Sequence, residues 1–199
     1  MTYDLMIRTS FSLPESDLAD ISFAPWGDKA EPRSRFQGTY VPGRGFLFDL
    51  ICYETEPLAR FKKPGDPVYK DSCLELFCNF APKLGDRYFN FEMNANGAYL
   101  VGFGAGRHDR VTPVISKKFT VRPAVMDSFW DVMLFVPEEM IEAAYGREID
   151  FCDGYEMRAN VYKCGEDVKI PHWLCWSPIN TEKPDFHRPE QFGSFLLRK

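Results

Sequence analysis

Arg87-Tyr88-Phe89-Asn90-Phe91-Glu92-Met93-Asn94 alternates without a break. Successive side chains of an extended chain point to opposite sides, so Phe89, Phe91 and Met93 share one face and Tyr88, Asn90, Glu92 and Asn94 the other. The next residues, Asn94-Ala95-Asn96-Gly97, form a hairpin signal, because Asn and Gly accept positive φ at little steric cost. Outward from this hairpin the same period recurs, with strands expected near 3–9, 45–53, 72–80, 97–103, 118–125, 129–136, 155–162 and 193–198. Gly, Pro, Asn and Asp punctuate them at short intervals. One helix interrupts the pattern. Pro137-Glu138-Glu139 sets a restricted φ and two acids at its start, Met140, Ile141 and Ala144 repeat at helical spacing, and Gly146 closes it.

This pattern predicts an all-β fold: an antiparallel β-sandwich with jelly-roll or immunoglobulin-like layers, one short helix and long loops, occupying residues 1–199 as a single domain. The stretches Ala24 to Gly45 and Cys164 to Phe192 are expected as long ordered loops, since Trp26, Phe36, Trp173, Trp176, Phe186 and Phe192 give them apolar weight. No internal repeat is seen.

Composition narrows the function. The 199 residues are 45% hydrophobic and 16% aromatic, which supports a sizeable core and excludes a disordered chain. The 24 basic and 29 acidic residues sum to −5 with signs interspersed, so no basic stripe exists for nucleic acid. No apolar run is long enough to span a bilayer, and no membrane partner is expected. No leader is expected at the N-terminus, and most of the six cysteines sit inside apolar runs as small hydrophobes. Together they predict free thiols and a cytoplasmic location. Oligomeric state is not encoded in any of these features.

Three strands carry chemistry on their less apolar face. Beside Tyr88, Asn90, Glu92 and Asn94 stand Glu156, Arg158, Asn160 and Tyr162 of the strand 155–162, and Cys73, Glu75, Phe77 and Asn79 of the strand 72–80. Amides, carboxylates and phenols together can serve both partners of a sugar hydroxyl. A solvated outer face is the plain alternative for any one strand, whereas three such faces can line a concave sheet. Other motifs are weak. Gly102-Phe103-Gly104-Ala105-Gly106 runs into Arg107 to Pro113 without a helix start, which makes it a flexible loop rather than a phosphate cradle. The histidines His108, His172 and His187 are scattered, and Cys73 and Cys78 are five apart, so no metal site is expected. No Ser, Cys or Thr occupies a nucleophile elbow. Cys175, close to His172, lies in a Trp-rich segment and reads as packing.

Tyr69-Lys70-Asp71-Ser72-Cys73-Leu74-Glu75-Leu76-Phe77, then Tyr88 to Gly97, then Trp176-Ser177-Pro178, then Phe186 to Gly193, occur in that order. This set resembles the family 9 carbohydrate-binding modules, above all their free-standing relatives, over roughly residues 40 to 198. A β-sandwich shared with the dopamine-monooxygenase N-terminal-like domains is implied. So is a non-catalytic function: a saccharide end stacked between two aromatic rings, with polar side chains on its hydroxyls. By the resemblance Tyr69 stands where sugar-binding members have Trp, and Glu75 matches the acid that bonds hydroxyls. The second ring is Trp173 or Trp176, and Phe186 to Gly193 is structural. The candidate ligand residues are therefore Tyr69, Glu75, Asn90, Glu92, Asn94, Arg158, Asn160, Trp173 and Trp176, with saccharide as partner and no cofactor. Calcium, which some members bind, remains open through Asp66, Asp71, Asp86 and Asp153. Three other readings stand beside this one: a glycan-active enzyme using Glu75 and Glu92 as paired carboxylates, a haem-binding sandwich with Met93 or a histidine as axial ligand, and a scaffold whose polar face the 24–45 segment covers.

Overall fold

The computed structural model describes residues 1–27, 29–111 and 119–199. In chain order the strands are β1 (Thr2–Ile7), β2 (Ala19–Asp20), β3 (Ser34–Val41), β4 (Gly45–Cys52), β5 (Cys73–Asn79), β6 (Tyr88–Asn94), β7 (Tyr99–Gly104), β8 (Thr120–Val125), β9 (Trp130–Pro137), β10 (Glu156–Gly165), β11 (His172–Cys175) and β12 (Gly193–Arg198). The helix α1 (Glu138–Tyr145) lies where the sequence places it: Gly146 follows in the left-handed region at φ 74°, and its N–H donates to Glu142 O at 2.8 Å. Among the described residues, no helix is long and apolar enough to cross a membrane.

The strands follow one path, β7-β6-β5-β10-β12-β1-β3-β4-β9-β8, with β11 paired to β10 and β2 to β3. The path curls over a single core, giving a β-rich sandwich. Inward residues of β5, β6, β10 and β12 (Leu76, Phe91, Val161, Phe195) meet those of β4 and β9 (Phe48, Val132) in one buried cluster. Ring contacts knit the two halves, with Phe36 stacked on Phe195 at 5.7 Å and Phe46 against Phe80 at 5.2 Å.

Two expectations change. Pairing is not antiparallel throughout: β1 runs parallel to both its neighbours, β12 and β3, and so joins the halves. The 24–45 segment is not a loop, since Ser34–Val41 forms β3, buried almost along its length and paired with β4 from Ser34↔Cys52 to Val41↔Gly45. Its polar Gln37 and Thr39 are covered rather than solvated. Thr39 Oγ1 donates to Met6 O of β1, and Gln37 Nε2 donates to Asp49 of β4. Likewise β11 arises within the tail expected as loop. The expected strand start at 118, and the continuation of the Gly-rich stretch through Thr112 and Pro113, lie outside the described residues.

The outer face of β5, β6 and β10 positions the site. A second buried cluster lies there, built from Phe77, Tyr88, Tyr162, Phe186 and Phe192. The segments around 57–71 and 177–192 are laid over it, and between them the face stays open.

Candidate functional site

The open part is a cleft of about 480 Å³, within the range of roughly 300–1,000 Å³ common to small-molecule sites. Its floor is the sheet itself. Glu75 of β5 and Glu92 of β6 are direct cross-strand partners, and both side chains are nearly sealed from solvent at 2% and 4% exposure. Tyr69 and Trp173 belong to its walls, both half-buried.

Each wall is fixed by backbone bonds. Tyr69 lies in the 3₁₀ turn Val68–Lys70, whose carbonyls accept from the chain just beyond β10: Glu166 N to Tyr69 O at 3.3 Å and Asp167 N to Lys70 O at 3.0 Å. Trp173 is held opposite Cys164 in the β10·β11 register. Beneath the turn, buried Asp71 accepts from Arg60 N, Phe61 N and Asn94 Nδ2 at 2.7–3.0 Å, and from Arg60 Nε at 2.9 Å. Asp71 is thus spent on holding the 59–71 segment. Asp66 accepts from Lys62 N and Lys63 N, so these acids do not converge on a shared point.

The floor acids are electrostatically unusual. Burial pushes the Glu75 carboxyl well above the carboxylate range, and the neighbouring Cys164 and Glu92 add to the effect. The Cys164 thiol donates to Glu75 Oε1 at 3.0 Å. Glu92 is pushed up to about 7 by burial, against the pull of Arg110, whose Nη1 stands 3.7 Å from Glu92 Oε1. Asn90 Nδ2 donates to the same oxygen at 2.8 Å. With Glu75 held protonated, the two carboxyls lie side by side without the repulsion of a double charge.

Sequence reasoning missed the rim. Arg107 and Arg110, just beyond the end of β7, reach into the cleft, as do Asp185 and His187 from the 178–192 segment. Arg107 pairs with Asp185 at 2.9 Å, and Arg188 holds the same carboxylate. Tyr88 Oη and His187 Nδ1 are 2.7 Å apart, while burial and the two arginines push the His187 ring down to about 3 and keep it neutral. The only signal for these residues was the arginine pair that follows the glycines Gly102 to Gly106. The expectation of a flexible loop there is corrected in part, because Gly102 to Gly104 are in β7.

The remaining sequence candidates stand away from the cleft. Trp176 is 2% exposed in the main core, edge-on to Phe36 and Phe195. Asn160 is fully buried and bridges Ser177, donating to its carbonyl at 2.9 Å and accepting from its N–H at 2.8 Å. Asn94 accepts from Asn96 N and Ala98 N and so shapes the hairpin turn. Arg158 donates to Phe192 O and Ser194 Oγ at the far end of β10. Met93 points into the main core, away from the cleft, and His172 is engaged by Lys163 Nζ at 2.8 Å.

Comparison with known proteins bears on this geometry. In structure the chain is similar to a Bacteroides uniformis protein provisionally described as carbohydrate-binding: TM-score 0.79, 24% identity, covering 100% of this chain and 98% of that one. It is also similar to a family 9 carbohydrate-binding module from Caldicellulosiruptor kristjanssonii. In complex with cellotriose that module gives a TM-score of 0.68 at 9% identity over 100% and 94% of the two chains. In complex with glucose it gives 0.67 at 9% identity over 100% and 95%. No curated protein matches in sequence. The model of carbohydrate-binding family 9 matches residues 18–197, so nearly the whole sandwich, cleft included, is accounted for, and the chain belongs to that family.

Proposed function

We propose that the cleft holds the end of a soluble saccharide, one ring stacked against Tyr69 and Trp173, with hydroxyls bonded to Glu75 and Glu92 on the floor and to Arg107 and Arg110 at the rim. The observation that carries this reading is the combination of two half-exposed aromatic walls with a nearly sealed floor of two carboxyls. Aromatic faces suit the apolar face of a pyranose, and desolvated carboxyls form hydrogen bonds that water competes for poorly. A carboxyl kept neutral by burial both donates and accepts, which matches a hydroxyl better than a carboxylate does. The family is one of non-catalytic carbohydrate-binding domains, so Glu75 and Glu92 act in binding and not as an acid/base pair.

Calorimetric titration tests the reading, with glucose, cellobiose and cellotriose as first probes because the solved family 9 module carries two of them. Tyr69→Ala should weaken binding by about 10- to 100-fold, equivalent to roughly 1–3 kcal/mol, while the melting temperature stays near the parent value. Glu75→Gln keeps the shape and one acceptor oxygen and should cost less. Parent-level affinity in Tyr69→Ala, or no binding to any saccharide across a glycan array, removes the reading.

A further inference from the structure

The floor of the cleft contains a donor set of which the proposed saccharide recognition uses only Glu75. Cys73 and Cys164 are direct partners in the antiparallel β5·β10 register, and Glu75 lies two residues beyond Cys73 on the same face of β5. Cys73 Sγ, Cys164 Sγ and a Glu75 carboxylate oxygen all lie within 4.8 Å of one another. The three residues are 0%, 2% and 2% exposed, and Glu75 and Cys164 line the cleft. We propose that these three side chains form a binding site for a thiophilic divalent cation of the zinc class, reached through the cleft.

The chemistry of the set favours that ion over its alternatives. Two sulfurs and one oxygen are soft to borderline donors, which suit zinc and disfavour calcium or magnesium, whose ligands are oxygens. Tetrahedral zinc with bonds of about 2.3 Å to sulfur and 2.0 Å to oxygen requires ligand atoms roughly 3.5–3.8 Å apart. The three donor atoms already lie within 4.8 Å of one another. Binding replaces three protons, two from thiols and one from the buried carboxyl, which pass to solvent as the ion enters. Three protein ligands leave a fourth position facing the cleft, for water or a ligand oxygen. No sequence spacing announces this site, since its two cysteines come from strands far apart in the chain and meet only through register.

The test uses the intact chain, reduced and free of saccharide, so that its failure leaves the sugar-binding result untouched. Cobalt(II) is the spectroscopic probe and zinc(II) the competitor. One equivalent of cobalt should produce a thiolate-to-metal charge-transfer band together with tetrahedral d–d bands, both lost when one equivalent of zinc is added. Cys73→Ser and Cys164→Ser should each weaken cobalt binding at least tenfold, whereas Cys152→Ser, at an exposed cysteine elsewhere, should leave it unchanged. Should the buried serine variants fail to fold, X-ray absorption of the zinc-loaded parent decides: two sulfurs near 2.3 Å with lighter atoms near 2.0 Å are expected. A parent without charge-transfer absorption overturns the proposal. So does a zinc shell without sulfur, or a band that survives in the Cys73/Cys164 double variant.

Discussion

Replacing Asp49 with Asn should make the protein more stable at neutral pH, although it removes a buried charge and no apolar surface changes. Asp49 lies on the outward face of β4 at 8% exposure, opposite Gln37 of β3 in the register. One carboxylate oxygen accepts from Gln37 Nε2 at 3.2 Å, while Asp49 Oδ1 and Gln37 Oε1 are buried with no partner among the described residues. Burial pushes the carboxyl from its ordinary 3.8 to about 6, with the neighbouring Asp131 adding to the rise. A raised carboxyl means that between these values the folded state keeps a proton the unfolded state has lost, so stability falls as pH rises through the window. About two pKa units correspond to roughly 3 kcal/mol of destabilisation once pH exceeds 6. The amide of the D49N variant carries no charge to desolvate and offers an N–H to the orphaned Gln37 oxygen. Its own desolvation offsets part of the gain, leaving about 1–3 kcal/mol at neutral pH. For a chain of this size that is about 2–4 °C per kcal/mol in melting temperature. Urea unfolding of parent and variant at about pH 5, 6 and 7 measures the difference as a function of pH. It should be smallest at the acid end and plateau above the folded-state value. A difference independent of pH, or a variant less stable at neutral pH, refutes the argument.

The two tryptophans of the β11 region should separate by assay. Trp176→Ala should cost about 3–5 kcal/mol in urea unfolding, because the ring fills the core against Phe36 and Phe195 and nothing replaces it. Trp173→Ala should leave unfolding almost unchanged and reduce saccharide affinity in calorimetry. Gly45→Ala should prevent folding or cost more than about 3 kcal/mol by circular dichroism melts, since Gly45 sits at φ 130° and a Cβ there would stand 2.2 Å from Val136 O.

What could be read from the chain, and what could not, follows from how continuous the apolar face of each strand is. β5 and β6 have a fully apolar face against the main core, and β10 one that is apolar from Met157 to Val161, so their alternation was legible and placed Glu75 and Glu92 on one surface. β3 was not legible, because Gly38 interrupts its core face between Phe36 and Tyr40. Phe48 packs within 2.7 Å of a would-be Cβ at Gly38, and Gln37 and Thr39 are buried on the opposite face, so polar and glycine positions occur where a two-faced strand would show its period. The same parity argument resolves the tryptophans. Leu174 and Trp176 share the main-core face, while Trp173 and Cys175 pack on the cleft-side cluster, as residues an odd number apart must in an extended segment. That parity was present in the sequence, but only the pairing of β11 with β10 says which member of the pair meets the cleft. Register between distant strands is also what sets Cys73 against Cys164, so the chemistry least visible in the linear chain is the chemistry that depends most on the sheet.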